Sequence, residues 1–151
     1  MSNTIWELVP KRGVRQDETE IFFGMTRSTL RAALRQRFGE PASRMSDEDD
    51  FEAPDGATLI RLRFDDDKLQ DIEFLHGTLR YHGVELCDNT TWSEIEDRLG
   101  GFGLSFHDSM FLDEGKECSE LSINVATREQ VGGDRGDDRI EWVITSTNFL
   151  E

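Results

Sequence analysis

The chain has 151 residues, the length of one domain, and halves too short to bury a sizeable core alone are expected to share one. Only 36% of residues are hydrophobic, yet ten Phe and three Trp supply large side chains for burial, which excludes general disorder. Thirty-two acidic against seventeen basic residues give a formal charge of −15, which disfavours nucleic acid and anionic membrane as partners and suits either plain solubility or a basic protein partner.

The first residues, Met1 to Glu7, lack a charged-then-apolar leader pattern, and no run approaches membrane-spanning length, so a cytoplasmic location is expected. Cys87 and Cys118 have no metal or redox spacing and read as reduced thiols. A short strand is expected over Thr4 to Pro10, then a break to Gly13 and a polar loop over 14–20. Ile21, Phe22 and Phe23 lead to Gly24-Met25-Thr26, where Thr26 is placed to cap a helix. Leu30, Ala33, Leu34 and Phe38 form its apolar stripe, and Gly39 with Pro41 ends it. The opposite side carries Arg27, Arg31 and Arg35, which either neutralise a nearby acidic loop or support self-association.

The stretch Pro41 to Gly56 is densely acidic (Asp47, Glu48, Asp49, Asp50) and reads as a loop with an edge strand near Phe51. Ile60, Leu62 and Phe64 then alternate with Arg61 and Arg63, and Ile72 and Phe74 with Asp71 and Glu73, on either side of a turn at Asp65-Asp66-Asp67-Lys68. Pairing even with even sets Arg63 opposite Asp71 and Arg61 opposite Glu73 on a solvated polar face. A third strand is expected over Leu79 to Leu86.

Thr91-Trp92-Ser93-Glu94 is a capping box, with Glu94 expected to return to the N–H of Thr91, and Ile95 and Leu99 match Leu30 and Leu34 in spacing. Further strands are expected at Leu104–His107, Met110–Leu112, Leu121–Thr127 and Arg139–Thr147. The Gly- and Asp-rich connector from Glu129 to Asp138, with Asp134, Asp137 and Asp138, reads as long and mobile. The phrase of cap, apolar stripe and closing glycine thus occurs twice, giving internal repeats over 14–85 and 86–151 within one domain, 1–151. The fold class expected is α+β: two tandem helix-plus-antiparallel-sheet repeats forming one curved sheet with helices on one face.

An apolar pair, Gly24-Met25-Thr26, Leu30, Leu34, Gly39 and Pro41 together resemble the β-lactamase inhibitory protein family and the related SmpA/OmlA/BamE-type modules. Val9-Pro10-Lys11-Arg12-Gly13-Val14 followed by Phe23-Gly24-Met25-Thr26 is similar to immunity proteins of bacterial toxin systems. The second half departs from the pattern, with Asn89-Thr90 where Gly-Met would stand, and 14–20 does not show the helix that usually precedes it. The resemblance implies a cytoplasmic, non-catalytic protein that blocks the active site of a cognate toxin or effector domain, a nuclease among the candidates. The alternative is a regulatory or assembly module that takes a peptide along a sheet edge.

No Ser-His-Asp set or phosphate loop is present in the sequence pattern. His76, His82 and His107 lack ligand spacing, and the Asp runs lack the full calcium-loop series, so no cofactor or metal is expected. The acidic stretches are expected to form one negative rim to a partner-binding face: Asp47, Glu48, Asp49, Asp50, Asp65, Asp66, Asp67, Asp134, Asp137 and Asp138. Each of them alone also reads as a solvated turn.

Overall fold

The computed structural model describes residues 5–88, 90–109 and 115–147, with backbone only for 43–45. The strand expected at Met110–Leu112 lies outside these residues apart from its flanks. Chain order runs β1 (Ile5–Val9), β2 (Gly13–Gln16), β3 (Thr19–Phe22), α1 (Arg27–Phe38), β4 (Ala42–Met45), β5 (Glu48–Glu52), β6 (Leu59–Asp65), β7 (Lys68–His76), β8 (Thr78–Tyr81), β9 (Val84–Glu85), α2 (Trp92–Gly100), β10 (His107–Asp108), β11 (Lys116–Cys118), β12 (Ile123–Thr127) and β13 (Ile140–Ser146).

These elements overturn the expected fold class. Among the described residues the chain is mostly β, with two short helices against thirteen strands. The strands form two sheets rather than one curved sheet: five in the order β3-β2-β1-β8-β9, and eight in the order β10-β11-β12-β13-β7-β6-β5-β4. Two segments expected to be loops, the second with an edge strand near Phe51, are strands over most of their length. Residues 14–20 form the β2–β3 hairpin because Val14 and Ile21 pair and are both fully buried. Gly13 opens it at φ +137, where a Cβ would stand 2.0 Å from the Ile21 carbonyl oxygen, so the Val-Pro-x-x-Gly-Val stretch needs glycine sterically. The acidic stretch 42–52 forms β4 and β5.

One apolar core is shared by both sheets and both helices. Trp6 of β1 stacks on Phe38 of α1, and Phe38 meets Phe51 of β5 edge-on, with centroids 6.3 and 6.0 Å apart. Leu30 and Leu34, and their counterparts Ile95 and Leu99, are fully buried. Thr26 accepts from the Thr29 N–H at 3.4 Å and Thr91 from the Glu94 N–H at 3.3 Å. The Glu94 carboxylate differs from the expected box: it accepts from the Thr90 hydroxyl at 3.3 Å. Each capping threonine also forms a bridge at the head of a central strand, Thr26 with Lys68 and Thr91 with Arg139. Those heads lead into β7 and β13, which lie side by side and antiparallel.

α1 is fastened to the large sheet by a buried carboxylate. Asp49 lies opposite Leu62 in register, facing the core, and is fully buried. Arg27 and Arg31, one turn apart on one helix face, each grip it with two hydrogen bonds, at 2.7 and 3.1 Å from Arg27 and both at 2.8 Å from Arg31. Arg27 also donates to the carbonyls of Ser46 and Glu48 and lies over the Phe64 ring. Burial alone would raise the Asp49 pKa, but the hydrogen bonds from Arg31 and Arg27 outweigh it and hold the carboxyl below its ordinary value of 3.8.

Replacing Asp49 by Ala strands two guanidiniums and is expected to cost about 3–5 kcal/mol in urea unfolding. Replacing all three members with apolar residues (R27M, R31L, D49L) should recover most of that loss. Because the folded pKa is depressed, the ion pair stabilises fully above pH 3.8 and is lost as pH falls through the lower folded value. The apolar triple variant should therefore lose less stability than wild type on acidification across that window, measured by urea midpoints.

Candidate functional site

The ten carboxylates of the expected rim separate into three groups. Glu48, Asp49 and Asp50 are strand residues of β5, not loop residues. Asp49 is consumed in the core as described. Glu48 and Asp50 face the other side of the large sheet, where Arg63 and Arg61 stand opposite them in register. Arg61 donates to Asp50 at 2.8 Å and lies 3.9 Å from Glu73. Arg63 binds Glu48 at 3.0 Å and Glu73 at 2.5 Å. The register sets Arg61 opposite Glu73 and Arg63 opposite Asp71. This face, expected to be solvated, is instead a closed ion-pair network in which Glu73 is 5% exposed. Asp71 does not bind Arg63 directly but accepts from the Ser146 hydroxyl on β13. Burial raises its pKa, and that hydrogen bond only partly reverses the effect.

Asp134, Asp137 and Asp138 form the second group. β13 runs antiparallel to β7, so the connector that precedes it lies at the opposite end of the sheet from the turn that precedes β7. The connector is not a free loop. Gly133 N–H donates to Arg128 O at 2.7 Å, Glu129 N–H to Asp137 O at 3.0 Å, and Arg128 N–H to Arg139 O at 2.9 Å. Asp138 accepts from Ser93 Oγ at 2.8 Å, at the start of α2. Asp137 holds Arg139 by two side-chain hydrogen bonds at 2.8 and 2.9 Å, which pull its pKa down to about 2.

Asp47, Asp65, Asp66 and Asp67 remain. All four are exposed, and none has a side-chain cation within ion-pair distance among the described residues. They converge at one end of the sheet, since Asp47 O accepts from the Phe64 N–H at 2.9 Å, next to Asp65. Asp65 pairs with Lys68 in register, so Asp66 and Asp67 form a two-residue hairpin turn at φ +52 and +64. Such a turn favours Asn-Gly, because both residues adopt the left-handed conformation that a side chain disfavours. Here it carries two adjacent carboxylates, with two more beside it. The structure thus brings together four of the expected site residues and leaves the other six apart.

The basic helix face is also resolved. Arg27 and Arg31 serve Asp49, and Arg35 meets exposed Glu40 at 2.8 Å. Cys87 and Cys118 are buried, which pushes both thiols up, that of Cys118 to about 11. Among the described residues no group of three or more His, Cys, Asp and Glu side chains is placed to hold a metal ion. No helix among them is long and apolar enough to cross a membrane. Comparison with protein-family models, curated proteins and solved structures finds no match for this chain.

Substituting Asp66→Asn with Asp67→Gly should stabilise the fold by about 0.5–1.5 kcal/mol, by relieving both the conformational cost and the like-charge repulsion. Urea unfolding of the double variant against wild type at low and high salt measures both parts. The charge part should shrink as salt rises.

Proposed function

We propose that this chain is a non-catalytic inhibitor of the immunity class, which binds a basic toxin or effector domain and occludes its active site. The observation that carries the reading is the open carboxylate cluster of Asp47, Asp65, Asp66 and Asp67, kept at a turn where neutral residues would be more stable. Carboxylates so placed attract Lys and Arg side chains, speed encounter with a basic surface and occupy positions that a nuclease offers to phosphate. The net charge of −15 extends the same field over the whole molecule. The likeness of residues 9–14 and 23–26 to immunity proteins points the same way.

The test is capture of partners from the source organism on immobilised wild-type chain, beside a variant with Asp65, Asp66 and Asp67 each changed to Lys. A basic protein should be retained by wild type and released as salt rises, and the variant should bind it at least about tenfold more weakly. The same protein should be toxic when expressed alone and harmless with the wild-type chain. Retention that ignores both salt and the charge reversal removes this cluster from the interface and overturns the reading.

A further inference from the structure

Among the described residues one large hydrophobic side chain is exposed: Phe102, at 55%. It stands in the Gly-rich turn after α2, beside two aromatic groups of the β8–β9 turn. Its ring centroid is 6.3 Å from that of Tyr81 and 6.0 Å from that of His82, and those two are 4.4 Å apart. Tyr81 is half-buried and His82 exposed. The backbone beneath this group is fixed. The N–H groups of Phe102 and Leu104 both donate to Leu99 O, at 3.0 and 3.2 Å, and Gly103 N–H donates to Gly100 O at 3.0 Å. Tyr81 pairs with Val84, so His82 and Gly83 form a two-residue turn. A side chain held in place before contact costs little to order on binding. Aromatic residues are also enriched among the few that carry most of an interface's energy.

The group lies at the same end of the molecule as Asp47, Asp65, Asp66 and Asp67. β1 is parallel to β8, so the β1–β2 and β8–β9 turns are neighbours. Arg12 O, in the first of these turns, accepts from Phe23 N–H at 2.9 Å, and the next residue, Gly24, donates to Leu69 O at 3.0 Å, just past the Asp66-Asp67 turn. α2 agrees: Trp92 N–H donates to Asp138 O in the connector at the far end, and the helix carries Phe102 away from it. About four strand spacings, roughly 20 Å, separate the aromatic group from the carboxylates. A standard interface of about 800 Å2 per partner, roughly 30 Å across, covers both. Exposed Lys11 and Arg12 lie between them, Arg12 over the Phe22 ring, so the two act as separate contacts rather than one patch.

We infer that Phe102, backed by Tyr81 and His82, is the apolar anchor of the proposed complex, entering a recess on the same basic partner whose Lys and Arg side chains meet the four carboxylates. The inference rests on the proposed function for the identity of that partner. A second copy of this chain is disfavoured as the occupant, since each carries a formal charge of −15. Charge then speeds encounter, and the aromatic anchor slows escape.

The test uses the basic protein retained on the wild-type chain, purified, with its association and dissociation rates measured against wild type, Phe102→Ala and the Asp65, Asp66 and Asp67 reversal to Lys. Phe102→Ala should speed dissociation at least about tenfold at low and high salt alike, with association changed less than about threefold. The charge reversal should instead slow association, most at low salt. If Phe102→Ala fails to fold, Phe102→p-benzoylphenylalanine decides: irradiation should join the chain to that protein, whereas Arg135→p-benzoylphenylalanine in the connector should not. Unchanged dissociation in folded Phe102→Ala, no cross-link from position 102, or an equal cross-link from position 135 overturns the anchor and leaves the proposed function standing. Binding that ignores the charge reversal but is lost in Phe102→Ala overturns the proposed function and leaves the anchor. A wild-type chain that retains no basic protein overturns both.

Discussion

The buried carboxylate of Asp49 is the constraint on which the rest of this structure depends. A fully desolvated aspartate is tolerated only if its charge is matched and its lone pairs are filled. Two arginines one turn apart on α1 do both, so the helix, β5 and the turn before β5 are placed together. From this follows the position of Phe38 between Trp6 and Phe51, and through Trp6 the attachment of the five-stranded sheet. It also explains why two of the four arginines of α1 add little to a basic surface: Arg27 and Arg31 direct their charge inward onto Asp49.

The same accounting sorts the rest of the acidic residues. Across the outer face of β5, β6 and β7, two arginines are shared among three carboxylates, fixing strand register through charge as well as through apolar alternation. In the connector before β13, Asp137 and Asp138 organise a hydrogen-bonded lobe. The formal charge is therefore a poor guide to where the field is strong. Among the described residues, carboxylates without a side-chain cation gather at the β6–β7 turn beside Asp47.

The strand alternation of residues 59–76, both helix caps and both apolar stripes were legible because each is a local pattern of period two or three to four. The β2–β3 hairpin was not, since its strands are four residues long and its turn, with Asp17 at φ +54, carries no glycine signal. Strand β5 was legible only near Phe51, and its acidic start was missed for a different reason. Glu48-Asp49-Asp50 has the composition of a loop, and only distant Arg27, Arg31, Arg61 and Arg63 make it compatible with a sheet. The aromatic group of Tyr81, His82 and Phe102 drew no signal, as its rings come from segments far apart in the chain.

The sequence by itself determined the local elements: where helices begin and end, which side chains face inward on β6 and β7, and which residues oppose across that hairpin. It determined these because capping, periodicity and cross-strand pairing act over a few residues. Tertiary structure alone decided that the strands divide into two sheets, with β1 parallel to β8, and that the helices are minor parts of a mostly β fold. It also decided which carboxylates are spent and which are open. Coulombic pairing in a folded chain depends on distance in space, and residues 18 and 22 positions apart settled the fate of Asp49.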